Sequence, residues 1–468
     1  MRKAVLILMA VAFSLGMTAK SEAFKPGLPI KEPRFLLDVS TAGGEAAAIK
    51  AGYATRTKGG DKNNPAHMTK GGDWAIAQAK RLGLKMTGET IEYQVTAVEA
   101  TQEIAGVEFP VWTFVPSNMV KGDKVDENWK NPHGPHPGPT VIANEGDLVR
   151  IWMKNRSKNN HTIHIHGPTV IKYDHDGTMN VAQVATKIDQ QMIYEFVAFP
   201  PGTHIYHCHV NANEHMQMGL DGAIVIHGRK DEKTDQDLLV ILMEWDSKFS
   251  KEEGFSPTGA DSKQSVEVGH PRGLAHYNFF TLNGNAWTDE YPNVIAAMQN
   301  TKIRTRFVNF GSWPHNIHLH GHTLHWISWD GRAVGNYTGT ISKDYDGEDY
   351  AKKDFRSDSV SIIPGERKDY IFEANQDGRW VWHCHIVAHA TNDGVYHGGL
   401  LQAVVYLHPQ PGKNVLEGSG IDLDAYPFGR PTPIGQKAFD QLSDNGTTSN
   451  EKVVDNSSNT NSNGSAEY

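Results

Sequence analysis

The chain has two cysteines, and each sits in the tripeptide His-Cys-His: His207-Cys208-His209 and His383-Cys384-His385. Each tripeptide follows a histidine cluster of one pattern, His161-Thr162-Ile163-His164-Ile165-His166-Gly167 and His315-Asn316-Ile317-His318-Leu319-His320-Gly321. A thiolate flanked by imidazoles, with further imidazoles upstream, is a donor set suited to copper. Its appearance twice marks an internal repeat of one metal-binding unit.

The elements that must position these residues are strands. Side chains alternate faces along a strand with a period of two. His164 and His166 therefore share a face, and His161 has the opposite parity. His207 and His209 share a face, and Cys208 points the other way. Each half thus offers two ligand sets on opposite sides of one sheet layer. In the first half, His161 and Cys208 form a thiolate-imidazole set, and His164, His166, His207 and His209 form an all-imidazole set. The second half repeats this with His315 and Cys384 against His318, His320, His383 and His385. β-Branched and aromatic neighbours support strands here: Thr162, Ile163 and Ile165, then Ile205-Tyr206, then Trp380-Val381-Trp382.

A further histidine follows each cysteine, His215 after Cys208 and His389 after Cys384. One Cys and two His with a weak axial thioether make a blue-copper site. In the first half the axial candidates are Met218, Met216 and Leu220. In the second half no sulfur follows His389 before Leu401. A second blue site there lacks axial methionine and is expected to have the higher potential, with Cys208 carrying the main route for electrons.

The N-terminus reads as a secretory signal. Arg2-Lys3 precede an apolar run from Ala4 to Met17, and Ser21-Glu22-Ala23 offers a cleavage site. The run is short for a membrane span. Residues 1–23 are thus expected to be a signal peptide, the alternative being a retained anchor; cleavage would leave a periplasmic or secreted protein with no membrane attachment. An oxidising compartment permits disulfides, but the two cysteines hold equivalent points of a repeat, which seldom meet. The formal net charge of −9, from 54 acidic and 45 basic residues, argues against a nucleic-acid partner.

Strand signals begin at Thr90–Val95 and recur through Val107–Val115, Leu148–Met153 and Gly222–His227. The charged stretch Gly228–Asp237 reads as a linker. A second series includes Phe279–Gly284 and Lys302–Asn309. Many short strands with few helical patterns predict an all-β fold of two tandem sandwiches, residues 89–230 and 238–410. Residues 24–88 form an N-terminal extension with no site, a loop over Thr55–Lys70 and a short helix over Trp74–Leu84. Residues 411–468 form a C-terminal extension, disordered from about residue 442 on its Asn/Ser/Gly content. His166 to His207 spans 41 positions and His320 to His383 spans 63. The excess falls near Gly335–Arg356 and reads as a surface loop. His133 and His136, in Pro/Gly-rich sequence, read as surface-loop histidines, the alternative being accessory metal or substrate contacts.

These motifs, with Pro137-Gly138-Pro139-Thr140, resemble the multicopper oxidases, specifically the bacterial two-domain, laccase-like branch. The resemblance covers about residues 89 to 408 and implies Greek-key cupredoxin-like domains. By position, His164 and His318 look like type 2 copper ligands. His166, His207, His209, His320, His383 and His385 look like ligands of the binuclear type 3 pair. His161, Cys208 and His215, with Met218, look like one type 1 site, and His315, Cys384 and His389 like another. About four to five coppers per chain follow. The implied reaction is one-electron oxidation of a phenolic or metal-ion reductant coupled to four-electron reduction of O₂ to water. Two-domain members form homotrimers, with each three-copper cluster shared between the first domain of one subunit and the second domain of its neighbour. Asp176 sits where the family places a carboxylate near the cluster, as a proton relay; an Asp-Gly turn role accounts for it equally well. The spacing from Cys208 to His215 is longer than the common pattern.

Two other readings share part of this pattern. A copper nitrite reductase needs fewer interface histidines than eight. A non-enzymatic copper-binding or electron-transfer protein needs the thiolate sites without the imidazole cluster.

Overall fold

The computed structural model describes residues 34–58, 70–129, 133–247, 277–288, 291–334, 355–376 and 379–407. All of them fall in one compact unit, residues 1–427. Residues 1–23, where a signal peptide is expected, the 335–354 stretch and the C-terminal extension lie outside the described residues.

The strands assemble into two β-sandwiches. In the first, His164–His166, Gly202–His207, Asp221–His227 and Val141–Asn144 form one sheet, in that order. It faces a sheet ordered Val170–Ile171, Gln191–Val197, Leu148–Asn155, Glu89–Ile104 and Ala54–Lys58, with Val107–Pro116 on the far edge of Glu89–Ile104. Ile91, Tyr93, Val95, Phe114, Ile151, Phe196, Tyr206 and Ile224 fill the space between them. In the second sandwich, Leu401–Leu407, Arg379–Cys384, His315–Leu319 and Ser359–Ile362 are successive neighbours. The facing sheet runs Phe279–Leu282, Gln236–Trp245, Thr301–Asn309, Arg367–Ala374 and Leu324–Trp329. Its core is built on Val240, Leu242, Ile303, Phe307, Phe372 and Trp382.

Gln236–Trp245 is buried along nearly its whole length. Its continuous apolar run, Leu238 to Met243, is what a strand covered on both faces requires. Even-numbered side chains serve the second core. Leu239, Ile241, Met243 and Trp245 face a third cluster that joins the sandwiches, with Phe109, Ile142, Ile205, Val225 and Phe279. Phe109 packs edge-on to Phe279 at 5.3 Å between ring centroids. The seam also holds a buried cation: Arg306 pairs with Asp237 at 2.6 Å and Asp369 at 3.1 Å. Thr203, from the first sandwich, donates to Asp369 at 2.6 Å.

Described segments of the 24–88 stretch join both sandwiches, while residues 24–33 and 59–69 lie outside the described residues. Arg34–Phe35 pairs with Asn293–Val294, and Leu37–Asp38 with Leu238–Leu239. Ala54–Lys58 pairs with Glu89–Tyr93, so residues 55–58 are strand, not the loop expected there. The helix expected over Trp74–Leu84 instead runs Lys70–Arg81, and its Ala75 and Ala79 are buried with Val170 and Val197. The reading of His133 and His136 as surface histidines is also corrected. Both are buried. His136 Nε2 lies 3.1 Å from the buried Asp221 carboxylate, and His133 Nδ1 lies 3.0 Å from Asn285. Burial of a Pro/Gly-rich loop depends on what packs over it, here the second sandwich, and local composition does not reveal that.

Candidate metal centres

Register places the imidazoles. His164 pairs across the ladder with His207, and His318 with His383. Directly paired residues share a face, so the two halves bring the same histidines together in the same way. In the first half, His164 packs against His166, His207 and His209 with centroids 4.7, 5.3 and 5.0 Å apart. In the second, His318 packs against His320, His383 and His385 at 4.8, 5.7 and 5.6 Å. The strands end at His207 and Cys384, so His209 and His385 reach their clusters from the segments just beyond.

Backbone carbonyls set the tautomers. His207 Nδ1 donates to the Cys208 carbonyl at 2.9 Å, and His383 Nδ1 to the Cys384 carbonyl at 3.0 Å. His164 Nδ1 donates to the Asp176 carbonyl, and His318 Nδ1 to the Asp358 carbonyl. Each of these rings therefore turns Nε2 into its cluster. The Nε2 atoms of His166 and His207 stand 2.9 Å apart, and those of His320 and His383 stand 3.1 Å apart. Facing ring nitrogens at this distance suit a shared cation. Burial and neighbouring imidazoles push His166 down to about 3 and His207 down to about 4. His320 and His383 are lowered for the same reasons. These rings stay neutral and keep a lone pair for a metal.

The thiolate sets lie on the other face, inside the cores. The ligand atoms of His161, Cys208 and His215 fall within 4.8 Å of one another, as do those of His315, Cys384 and His389. Cys208 Sγ is 3.6 Å from His161 Nδ1 and 3.2 Å from His215 Nδ1. Cys384 Sγ is 3.6 Å from His389 Nδ1, which is 3.1 Å from His315 Nδ1. Burial pushes both thiols up to about 11. It also holds His161 well below the ordinary range and His389 at about 3. Three convergent, buried donors are a set that a soft cation completes.

The unequal Cys-to-His spacings have a structural cause. His215 rides on the α-helix Ala212–Gln217, entered through Asn211 at φ +47°. His389 rides on a single 3₁₀ turn, Val387–Ala390. The longer spacing is spent on the longer helix, and both rings arrive with Nδ1 at the sulfur.

The same backbone frame closes both sites. Cys208 N donates to the Leu220 carbonyl, and Leu220 N to the His215 carbonyl. Cys384 N donates to the Leu400 carbonyl, and Leu400 N to the His389 carbonyl. Leu220 and Leu400 therefore hold equivalent positions beside the two cysteines. Met218 is buried in the cluster around Cys208, while Met216 packs toward the seam.

Asp176 lies beside the first imidazole cluster. Its Oδ1 is 3.4 Å from His164 Nδ1, and its Oδ2 accepts from Thr178. Its counterpart Asp358 was not singled out from the sequence; the signal that finds it is pairing of its neighbour Ser359 with His318. His175 accepts from Glu195 N through Nδ1 and serves packing.

Two family models, both described as multicopper oxidase, match residues 118–231 and 257–396. Copper resistance protein A of Escherichia coli is 27% identical over 245 residues, 45% of this chain and 40% of that protein. Laccase-1 of Cryptococcus neoformans is 23% identical over 61% of this chain and 44% of its own length. The chain spans under half the length of these curated relatives. Among solved structures, the blue copper oxidase from Nitrosomonas europaea superposes with a TM-score of 0.53 at 25% identity, over 67% of this chain and 85% of that one. The multicopper oxidase mgLAC gives 0.53 at 24% identity, over 69% and 88%, a likeness of fold. Both sandwiches are cupredoxin-like.

Proposed function

Because the chain belongs to the multicopper oxidase family, its two model matches together covering more than half of the sequence, we propose that it oxidises a small reductant and passes the electrons to O₂. It is a copper-type oxidoreductase of laccase-like kind. The observation that carries the finer reading is the presence of all eight imidazoles in two matched clusters, each back-to-back with a Cys/His₂ set.

The residues present fit copper. Cys208, His161 and His215 would hold one type 1 centre, and Cys384, His315 and His389 another. Leu220 and Leu400 would stand beside these centres in matched backbone frames, with Met218 in the apolar shell around the first. His164 and His318 would hold type 2 copper. His166, His207, His209, His320, His383 and His385 would hold the type 3 pair. Bound copper supplies one-electron redox chemistry at the thiolates and oxygen reduction at the imidazoles. The chain supplies the connection: Cys208 and Cys384 are each bonded through the backbone to two imidazoles of their cluster. Asp176 would hold a proton beside His164 for delivery to reduced oxygen.

Each cluster has four of the eight imidazoles. Among the described residues, no group of three ligand atoms draws on both halves, and His320 and His385 are exposed. Exposed apolar side chains flank both clusters, Tyr173 and Val181 near the first and Ile386 and Val387 near the second. This supports a homotrimer in which the first sandwich of one chain meets the second of the next. The residues 1–23 reading supports export to the periplasm or beyond. No helix among the described residues is long and apolar enough to cross a membrane.

The test is copper content with oxygen uptake, using phenols and ferrous, cuprous and manganous ions as donors. About four to five coppers per chain, blue absorbance and O₂ consumption are expected. One or two coppers without O₂ uptake would instead identify an electron carrier. Nitrite turnover without O₂ uptake would identify a nitrite reductase.

A further inference from the structure

The two Cys/His₂ sets share a backbone frame but differ in what meets the far nitrogen of the upstream histidine. In the second sandwich that partner is Glu244, fully buried on the strand Gln236–Trp245. Its Oε2 lies 3.1 Å from His315 Nε2. Its Oε1 accepts from the backbone N–H of Ser312 and, at 2.8 Å, of Trp313. Gly311 makes the room: a Cβ there would stand 1.9 Å from the carboxylate. The acceptor therefore fixes His315 with Nδ1 turned toward Cys384 and His389. In the first sandwich, His161 Nε2 is buried and has no hydrogen-bond partner among the described residues.

We propose that Glu244 is the positioning residue that makes the second Cys/His₂ centre the lower-potential one of the pair. This rests on the reading of both sets as copper centres. A carboxylate accepting the outer N–H of a ligating imidazole makes that imidazole a stronger donor. It also places negative charge in a low-dielectric interior, where it favours the more positive, oxidised metal. Axial ligand and surrounding polarity set such potentials. Leu220 and Leu400 hold equivalent backbone positions, so that frame does not separate the centres, and the outer partner does. The ordering is opposite to the one expected from sequence, where the second centre is the higher.

Glu244 also touches the first centre's support. Its backbone carbonyl accepts from Gln217 Nε2 at 2.8 Å, and Gln217 lies on the helix that carries His215. Tyr277 donates its hydroxyl to Gln217 Oε1 at 2.8 Å. The helix bearing one centre's histidine is thus tied to the residue that holds the other's.

The experiment uses single-centre proteins, Cys208→Ser to retain the second centre and Cys384→Ser to retain the first. Copper content, visible absorbance and electron paramagnetic resonance are read before an equilibrium redox titration. The second centre is expected to titrate at the lower potential. Adding Glu244→Gln to Cys208→Ser should keep copper and absorbance and favour reduction by about tenfold, or about 59 mV for one electron. Equal potentials in the two single-centre proteins, or a lower one for the first centre, overturn the proposal without any change at Glu244. So does a Glu244→Gln protein that keeps its copper and shows no shift. If neither single-centre protein binds copper at its thiolate, the copper reading itself fails, and the metal assay reports that separately.

Discussion

His164 Nδ1 lies 2.6 Å from the backbone carbonyl oxygen of Asp176. The contact fixes the ring with Nε2 inward, and it ties the first imidazole cluster to the loop that carries the nearest carboxylate. His318 repeats the contact with Asp358 at 2.9 Å. Replacing His164 or His318 by Ala should remove type 2 copper and abolish O₂ reduction, yet leave blue absorbance intact, because the thiolates face the opposite side of the sheet. Loss of colour with surviving oxygen turnover would refute the assignment.

Asp176→Asn keeps the backbone carbonyl and changes only the side chain. Oxygen consumption should fall by about two orders of magnitude, with copper content and absorbance unchanged. A variant as fast as the parent would leave Asp176 as a turn residue that bonds Thr178.

The axial assignment is open to direct test. Leu220→Met and Leu400→Met should each lower the potential of their own centre, by about tenfold in the reduction equilibrium, because a thioether enters beside the thiolate. Met218→Leu should leave the potential of the first centre where it is. A large shift from Met218→Leu would return the axial role to that methionine.

The shared-cluster arrangement predicts complementation. A His164→Ala protein and a His318→Ala protein should each be inactive. Dissociated and reassembled together, they should regain about a quarter of the parental activity, since chance pairing around a ring restores one interface in four. Light scattering of the parent should show three chains. An active monomer with full copper would rule the arrangement out.

The seam between the sandwiches predicts a stability effect remote from the metals. Arg306 is wholly buried and offsets Asp237 and Asp369. Arg306→Met strands two buried carboxylates and should cost about 3–5 kcal/mol, read from denaturant unfolding.

Much of the centre was legible because parity is local. The alternation His164-Ile165-His166 and the flanking of Cys208 by two histidines dictate which side chains share a face, whatever the rest of the chain does. The register His164–His207 and His318–His383 follows from that pairing. What escaped was set at long range. Glu244 precedes His315 by 71 positions and carries no motif. The equivalence of Leu220 and Leu400 is hidden by unequal spacing, since one loop contains a helix and the other a turn. The strands Arg34–Phe35 and Leu37–Asp38 are too short to show a period, and their partners lie far down the chain.

Those two short strands have a consequence for how the protein is made. Leu37 must wait for Leu239, and Arg34 for Asn293, before either has an edge to pair with. Ala54–Lys58, further along, has its partner Glu89–Tyr93 much nearer in the chain. Contacts so distant along the chain form slowly, because a long loop must close first. Arg34–Phe35 and Leu37–Asp38 are thus among the last of the described strands to settle. Their docking acts as a clasp that closes only after the second sandwich exists.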